Sequence, residues 1–556
     1  MEEIITVFLL FAAVAAIVAV LGFFEKKRFI RDMRAELKRT YGKRCTQEIS
    51  AVRAECIPAY FREHRNDDSI DDITASDLEL GRLFAEMNLC RSSAGEELLY
   101  HLLRSPLFSE EELKKRAEQI SFLRENGELR DKLRLFFAMM GKNERYSLYD
   151  YLHFADTLKE DPTLRYHFVA PILLAAAVAL ILLKPDAGIP FLILVMVFNI
   201  AWYYRTKGKV QAYFVTLKHV MRDIRAGEKI AAMDPGPFSE ECGELKAALK
   251  KLRGFKRGSG AVFSGDAQTG DPMGILADYL KMILHFDLIF FYNMIRQMQE
   301  HREEVDTVHG KLGYIEALIA VGSYMDALED VCVPVFDKTE AAGQLYHPLI
   351  EEPVKNSYQL SGCMLLTGSN ASGKSTFLKT IALNQLLAQD FYFACADEFH
   401  TEFHRIYTSM SLRDNLEQQE SYFMVEIKAM QRILKAAEQP GARIACFVDE
   451  VLRGTNTVER IAASTQILRH MADKNIFCAA ATHDIELTDL LEDQYENHHF
   501  EEEIKDGDVL FNYRLQNGKA TSRNAIRLLS VMGYEPGIVE NAEKLAEHFL
   551  KEGCWT

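Results

Sequence analysis

The segment Gly368-Ser369-Asn370-Ala371-Ser372-Gly373-Lys374-Ser375-Thr376 constrains this chain more than any other. It follows the apolar run Cys363 to Leu366 and opens the helical pattern Phe377 to Leu387. Strand, glycine-bounded turn and helix in that order make a phosphate-binding loop. Glycines let successive N–H groups turn toward the phosphates, and the helix N-terminus adds partial positive charge. All nine residues are therefore candidate nucleotide contacts. Lys374 is spaced to reach the β- and γ-phosphates, and Ser375 to ligate Mg²⁺. The competing reading, a chance glycine-rich turn, does not account for the strand before it and the helix after it.

Two further apolar runs belong with this loop. Ile444 to Val448 ends in Asp449-Glu450, and Ile476 to Ala481 ends in Thr482-His483-Asp484. Each reads as a buried strand of a parallel sheet, whose carboxyl edge is where a nucleotide and its metal would sit. Asp449 is the candidate Mg²⁺ partner through water. Glu450 is the candidate group that polarises the attacking water, and His483 a candidate contact to the γ-phosphate or that water. The bland alternatives are a surface Asp-Glu pair and an ordinary histidine; order and spacing after the loop favour the chemical reading.

Three apolar stretches point to a membrane. Ile4 to Phe24 gives about 21 apolar positions, enough at about 1.5 Å per residue to cross a hydrocarbon layer of roughly 30 Å. Glu2 and Glu3 precede it and Lys26, Lys27, Arg28, Arg31 and Arg34 follow it, so the positive-inside rule puts the downstream chain in the cytoplasm. A cleaved signal peptide would want its basic residues before the apolar run. Phe168 to Leu183 and Pro190 to Tyr204 flank a short turn, Lys184 to Ile189, and are followed by Arg205, Lys207 and Lys209. They read as a membrane hairpin with short arms; the alternative is a buried hairpin in a soluble core. The expected localisation is a multi-pass cell-membrane protein with its nucleotide domain cytoplasmic.

The 556 residues, 48% hydrophobic and 26% charged, describe a folded multidomain chain, and the net charge of −16 excludes a generally basic nucleic-acid-coating surface. Any contact with a phosphate backbone must come from local clusters. One is Lys250, Lys251, Arg253, Lys256 and Arg257, which also fits a solvated helix face. The ten cysteines are scattered singly, as free thiols in a reducing compartment would be.

Apolar spacing through Leu78, Leu80, Leu83 and Phe84, then Leu98, Leu99, Leu102 and Leu103, predicts packed helices before the hairpin. Helical pattern resumes after it, broken at Gly258 to Gly274. The expected fold is mixed: an α-helical region with transmembrane helices, followed by an α/β phosphate-loop ATPase domain. The boundaries read as a transmembrane helix at 1–25, a basic linker at 26–67, a helical segment at 68–167, membrane hairpin at 168–204, a second helical segment at 205–330, ATPase domain at 331–515 and C-terminal helices at 516–556.

Thr367 to Thr376, Asp449-Glu-Val-Leu-Arg-Gly-Thr-Asn-Thr457 and Ala481-Thr-His-Asp-Ile-Glu-Leu-Thr488 together resemble the MutS family of DNA mismatch-repair ATPases. Asp414 to Glu426 is similar to that family's signature segment, which implies that Ser421 reaches the ATP of a partner subunit. Tyr346-His-Pro348 and the tail Ser522 to Ala546 extend the resemblance, the tail as dimerising helices. Ser92 to Leu99, Leu103 to Pro106 and Arg116 to Leu123 look like the start of the family's helical core, which implies an α-helical core at 68–167 and core and lever at 205–330, with the hairpin in place of the family's clamp arms. Ser369, Ala371 and Ser372 depart from the family's loop and Leu452 replaces a glycine. A mismatch-reading N-terminal domain has no expected counterpart.

The resemblance implies an ABC-type ATP hydrolase using ATP and Mg²⁺ at composite homodimer sites, coupled to DNA binding. The alternatives are a membrane-bound switch acting on a protein partner and a transport-type ATPase. Three short helices are few for a transport pathway, and Arg453 to Thr457 points away from transporters.

Overall fold

The computed structural model describes residues 22–555 except 26, 47, 144, 151, 153–165, 234–235, 257–278, 281, 370–371, 411–421, 454, 506–507, 521–525, 527–528, 531–532 and 553. Nearly all of the expected transmembrane helix at 1–25, together with Asn370, Ala371 and Ser421, lies outside the described residues.

The chain forms two compact units that interleave in sequence. The first comprises 1–64, 86–101 and 118–324; the second comprises 65–85, 102–117 and 325–556. This differs from the contiguous domains drawn from sequence. All eight heptad-like residues from Leu78 to Leu103 are buried, yet Leu78 to Phe84 belong to the second unit and Leu98 and Leu99 to the first.

The first unit is helical. Its principal elements are α1 (Ser93–Leu102), α2 (Val169–Leu183), α3 (Pro185–Ala231), α4 (Phe286–Glu300) and α5 (Arg302–Met325). Leu217, Val220, Met221, Ile224, Leu312 and Ile315 are among its buried apolar residues. A carboxylate is buried with them: Glu316 of α5 accepts the N–H groups of Arg91 and Ser92 and the Ser92 hydroxyl. Burial pushes its pKa up to about 7 against those donors. The expected turn over Lys184 to Ile189 shrinks to Lys184, because α3 already begins at Pro185 and runs for 47 residues. Proline is tolerated at a first helical position, and Pro190, little more than one turn in, forfeits a single intrahelical bond.

The second unit carries two sheets. Strands β1 (Val335–Phe336), β2 (Glu340–Leu345), β3 (Asn356–Leu360) and β5 (Glu398–Thr401) form a four-stranded sheet in the order β1-β5-β2-β3. Strands β4 (Cys363–Thr367), β6 (His404–Ser409), β7 (Arg443–Asp449), β8 (Phe477–Ala481), β9 (Tyr495–Lys505) and β10 (Asp508–Asn517) form a six-stranded sheet in the order β10-β9-β4-β8-β7-β6. All its pairings are parallel except β9 with β10. Helices α6 (Lys374–Phe391), α7 (Tyr422–Ala437) and α8 (Thr457–Asp473) supply the crossovers that a parallel sheet requires. Both β4 and β8 are buried throughout, as strands covered on both faces should be. The 65–85 segment finishes the β6 edge: Asp77 accepts the Thr408 hydroxyl at 2.7 Å and the Met410 N–H at 2.9 Å. A last helix, α9 (Pro536–Glu552), lies within the expected C-terminal helical region.

Packing of α1 on α5 depends on Gly313, where a methyl group would run into the Ala94 carbonyl and stand 2.8 Å from a Leu98 methyl. Gly313→Ala should therefore destabilise the helical unit by about 1–3 kcal/mol, seen as a lower midpoint in thermal unfolding. An unchanged midpoint would contradict the close approach.

Candidate nucleotide site

Parallel register sets the site. Leu366 of β4 pairs with Ala481 of β8, and Ala481 pairs with Asp449 of β7, so three strands finish at one level. Backbone bonds hold the next residues there: Thr482 donates to the Leu366 carbonyl and Glu450 to the Ala481 carbonyl, each at 2.9 Å. The three sequence motifs, spread over more than a hundred residues of chain, thus meet at one sheet edge.

The loop after β4 needs its glycines. Gly368 has φ +136°, and a Cβ there would lie 2.6 Å from the Phe500 carbonyl oxygen and 3.0 Å from the Ser372 hydroxyl. Gly373, at φ +101°, precedes α6 with the Tyr513 ring against it. The Ser372 hydroxyl donates to the Ser369 carbonyl at 2.8 Å, closing the turn. Lys374 is 4% exposed. Its ammonium donates to the carbonyls of Gly368 and Ser369 at 2.8 and 2.7 Å and lies 3.5 Å from His483 Nε2. Thr376 is exposed on the first turn of α6.

Beside the loop, the Ser375 hydroxyl donates to Asp449 Oδ2 at 2.6 Å. A hydroxyl and a carboxylate are the hard oxygen donors that suit Mg²⁺, which keeps most of its coordination for phosphate and water. Glu450 bridges two cationic or ionisable groups: Oε1 lies 2.8 Å from His483 Nε2 and Oε2 lies 2.7 Å from Arg453 Nε. Burial raises the Glu450 pKa, but the His483 bond and the charges of Arg453, His483 and Lys374 outweigh it and hold the carboxyl below its usual range. Its backbone is left-handed at φ +63°, a conformation costing about 1–3 kcal/mol for a residue with a side chain. The anchored N–H and the two side-chain partners keep it there.

Among the described candidates, the structure brings Lys374, Ser375, Asp449, Glu450 and His483 together. Three features went unread in the sequence. Arg453, quoted only inside a motif, also donates to the Asp449 carbonyl at 2.6 Å. Arg460 grips Asp484 with two bonds of 2.8 and 2.6 Å, bracing the turn that carries His483. A cavity of about 330 Å³ opens beside Gly373 and Thr376, lined by His347, Ile350, Val354, Phe377 and Tyr513 among others. The Tyr346-His-Pro348 motif was the available signal for it. Away from this site, the basic cluster is partly neutralised: Lys251 pairs with Glu304 at 2.6 Å, and Lys256 with Glu228.

The family model for MutS domain V matches residues 364–550. Among curated relatives, MutS protein homolog 4 of Homo sapiens is 28% identical over 293 residues, which is 49% of this chain and 31% of the relative. The DNA mismatch repair protein MutS of Thermus aquaticus is 32% identical over 206 residues, 36% of this chain and 25% of the relative. That of Chloroflexus aurantiacus is 28% identical over 293 residues, 49% of this chain and 30% of the relative. The chain spans under a third of the length of these relatives.

A depressed pKa keeps the Glu450 carboxylate ionised across the neutral range, protonating it only as pH falls well into the acid range. Arg453→Ala withdraws one of the charges that depress it, so the Glu450 carboxyl should titrate at higher pH, read from its side-chain carboxyl resonance over a pH series. An unmoved titration would show that Arg453 does not hold the carboxyl down.

Proposed function

Because the chain is a MutS-family protein carrying that family's domain V, we propose that it binds ATP with Mg²⁺ and hydrolyses the γ-phosphate at composite sites of a membrane-attached homodimer, with the cycle coupled to DNA. The observation that carries the reading is the convergence of Lys374, the Ser375–Asp449 pair and the Glu450–His483 pair at one sheet edge.

In this reading Lys374 exchanges the carbonyls of Gly368 and Ser369 for β- and γ-phosphate oxygens, while loop N–H groups and the start of α6 cradle the phosphates. Gly368 to Thr376, including Asn370 and Ala371, form that cradle. Mg²⁺ would be held by Ser375 and, through water, by Asp449, where it neutralises phosphate charge. Glu450 orients a water and accepts its proton as the water oxygen bonds to the γ-phosphorus and the bridging oxygen leaves with ADP. His483 donates to the γ-phosphate or the water from the other side of Glu450. The adjacent cavity, with apolar walls and His347 at its edge, is suited to the nucleoside.

Ser421 would complete the site of the other protomer. Dimerisation through the C-terminus is supported by α9, which leaves Ile538, Leu545 and Phe549 exposed at spacings that share one helix face. DNA coupling is supported by relatives named for mismatch repair. A net charge of −16 and the ion-paired basic cluster favour a second reading, a switch acting on a protein partner.

The test is steady-state hydrolysis by the detergent-solubilised protein with no DNA, homoduplex, mismatched duplex and branched DNA, at two salt concentrations. A rate that depends on DNA structure supports the DNA reading; indifference to every DNA selects the protein-partner reading. Glu450→Gln should lower hydrolysis by about 10²-fold or more while ATP still binds and holds the dimer together. Lys374→Ala should lose ATP affinity itself, and full affinity in that variant would overturn the loop assignment.

A further inference from the structure

Helices α2 and α3 leave the first unit as an antiparallel hairpin with its polarity reversed relative to the rest of the chain. Its outward residues are apolar: Ile172, Leu182, Leu183, Ile193, Leu194 and Val197 are 58–83% exposed. Apart from Val195, the fully enclosed residues between the two helices are small or polar. Ala170, Ala177, His167 and Asn199 are fully buried, and at the tip Gly188 approaches so closely that an added Cβ would stand 2.5 Å from the Ile181 backbone. Asn199 donates its amide N–H groups inside, to the Ala170 and Ile283 carbonyls at 3.2 and 2.9 Å, while its Oδ1 is buried without a partner among the described residues. Small residues between helices, polar groups turned inward and large apolar side chains turned out describe a hairpin whose solvent is lipid.

Length and flanking residues agree. From Pro185 to Trp202, α3 advances about 27 Å at 1.5 Å per residue, against a hydrocarbon layer of about 30 Å. His167 at the root of α2 stacks on Trp202 of α3 at 4.6 Å, so the exposed Tyr166 and Phe168 beside it and Tyr204 of α3 fall near one level, where aromatic rings sit at a membrane boundary. Arg205, Lys207 and Lys209 follow on the side that would face anionic headgroups. The other end of the hairpin carries Lys184 and Asp186.

The root is also fixed. Tyr203 donates to Asp287 at 2.7 Å, Lys207 donates to the Tyr203 hydroxyl at 2.6 Å, His285 Nε2 lies 2.9 Å from the Asn199 carbonyl, and His167 Nδ1 lies 2.7 Å from His285 Nδ1. Beyond it α3 continues unbroken to Ala231, with Leu217, Val220, Met221, Ile224 and Ile230 in the helical core.

We propose that α2 and α3 cross the whole bilayer, with the Tyr166–Trp202–Tyr204 level at the boundary nearer the helical unit and Lys184 at the far one, and that α3 is a rigid strut holding this unit at a fixed height above the lipid. The proposal rests on the membrane part of the functional reading and is independent of its ATPase part.

Trp202 becomes the sole tryptophan in Trp555→Phe, since the chain has two. Further variants combine Trp202→Phe and Trp555→Phe with either Leu194→Trp or Leu183→Trp. Each full-length protein is reconstituted into phosphatidylcholine–phosphatidylglycerol vesicles brominated near the headgroup or near the acyl-chain ends. Crossing predicts that Trp202 loses more emission to shallow bromine, Leu194→Trp more to deep bromine, and Leu183→Trp again more to shallow bromine. Deepest quenching at Leu183→Trp would mean a hairpin that dips without crossing. No quenching at any position, with protein still bound to vesicles, would mean that a second copy or another protein covers the hairpin and that residues 4–24 alone supply attachment. Either result overturns the proposal. ATP hydrolysis by the same variants reports folding and keeps a failure of the hairpin distinct from a failure of the ATPase reading.

Discussion

Everything in the candidate nucleotide site depends on the register of three parallel strands. Leu366, Ala481 and Asp449 pair at one level of β4, β8 and β7, so the residues that follow each strand emerge side by side. A shift of one residue in any strand would turn its alternate face to the edge and send the functional side chain away. Nearly complete burial of these strands makes such slips costly, because every misplaced apolar side chain would forfeit its burial free energy. The core therefore stabilises the domain and at the same time fixes where Lys374, Asp449, Glu450 and His483 stand.

The same edge concentrates charge without leaving it unpaired. Lys374 satisfies its ammonium on two loop carbonyls, Ser375 holds Asp449, and Glu450 is shared between His483 and Arg453. Arg460 is locked onto Asp484 two bonds deep. In a partly dry site each of these partners is worth more than it would be in water. The left-handed Glu450 backbone shows the same logic, since a conformation unfavourable in isolation persists where its N–H and both carboxylate oxygens are held.

What the sequence revealed of this site is what local chemistry dictates. A glycine-bounded loop between strand and helix is read from adjacent residues, and so are carboxylates or a histidine at the end of an apolar run. The Arg453 and Arg460 pairings were missed because surface-type arginines carry no periodic signal. The cavity beside Gly373 was missed because its walls come from β2, the β2–β3 connection, β3, α6, β9 and β10, which are far apart in sequence. Periodicity predicted the burial of Leu78 to Phe84 and of Leu98 and Leu99 without saying against what, and the two runs serve different units. Asp77, an acid in a helical pattern, reads as surface until Thr408, 331 residues away, is seen to donate to it. The hairpin was recognised but cut short, since the proline at 190 reads as a break when in fact it falls early in a helix that starts at Pro185.

One rule, that each side chain goes to the medium that accepts it, governs both the sheet and the hairpin, with opposite outcomes. Around β4 the large apolar side chains turn inward and the ionisable groups gather, paired with one another, at the carboxyl edge of the sheet. Along α2 and α3 the large apolar side chains turn outward, and Asn199 and His167 are enclosed with partners of their own. A soluble hairpin with that outward face would expose a contiguous apolar surface well beyond what isolated proteins tolerate in water. A bilayer removes that penalty and leaves the enclosed Asn199 as the group whose hydrogen bonds must be completed internally. Its amide N–H groups find acceptors there, the carbonyls of Ala170 and Ile283, whereas its Oδ1 is buried without a hydrogen-bond partner among the described residues.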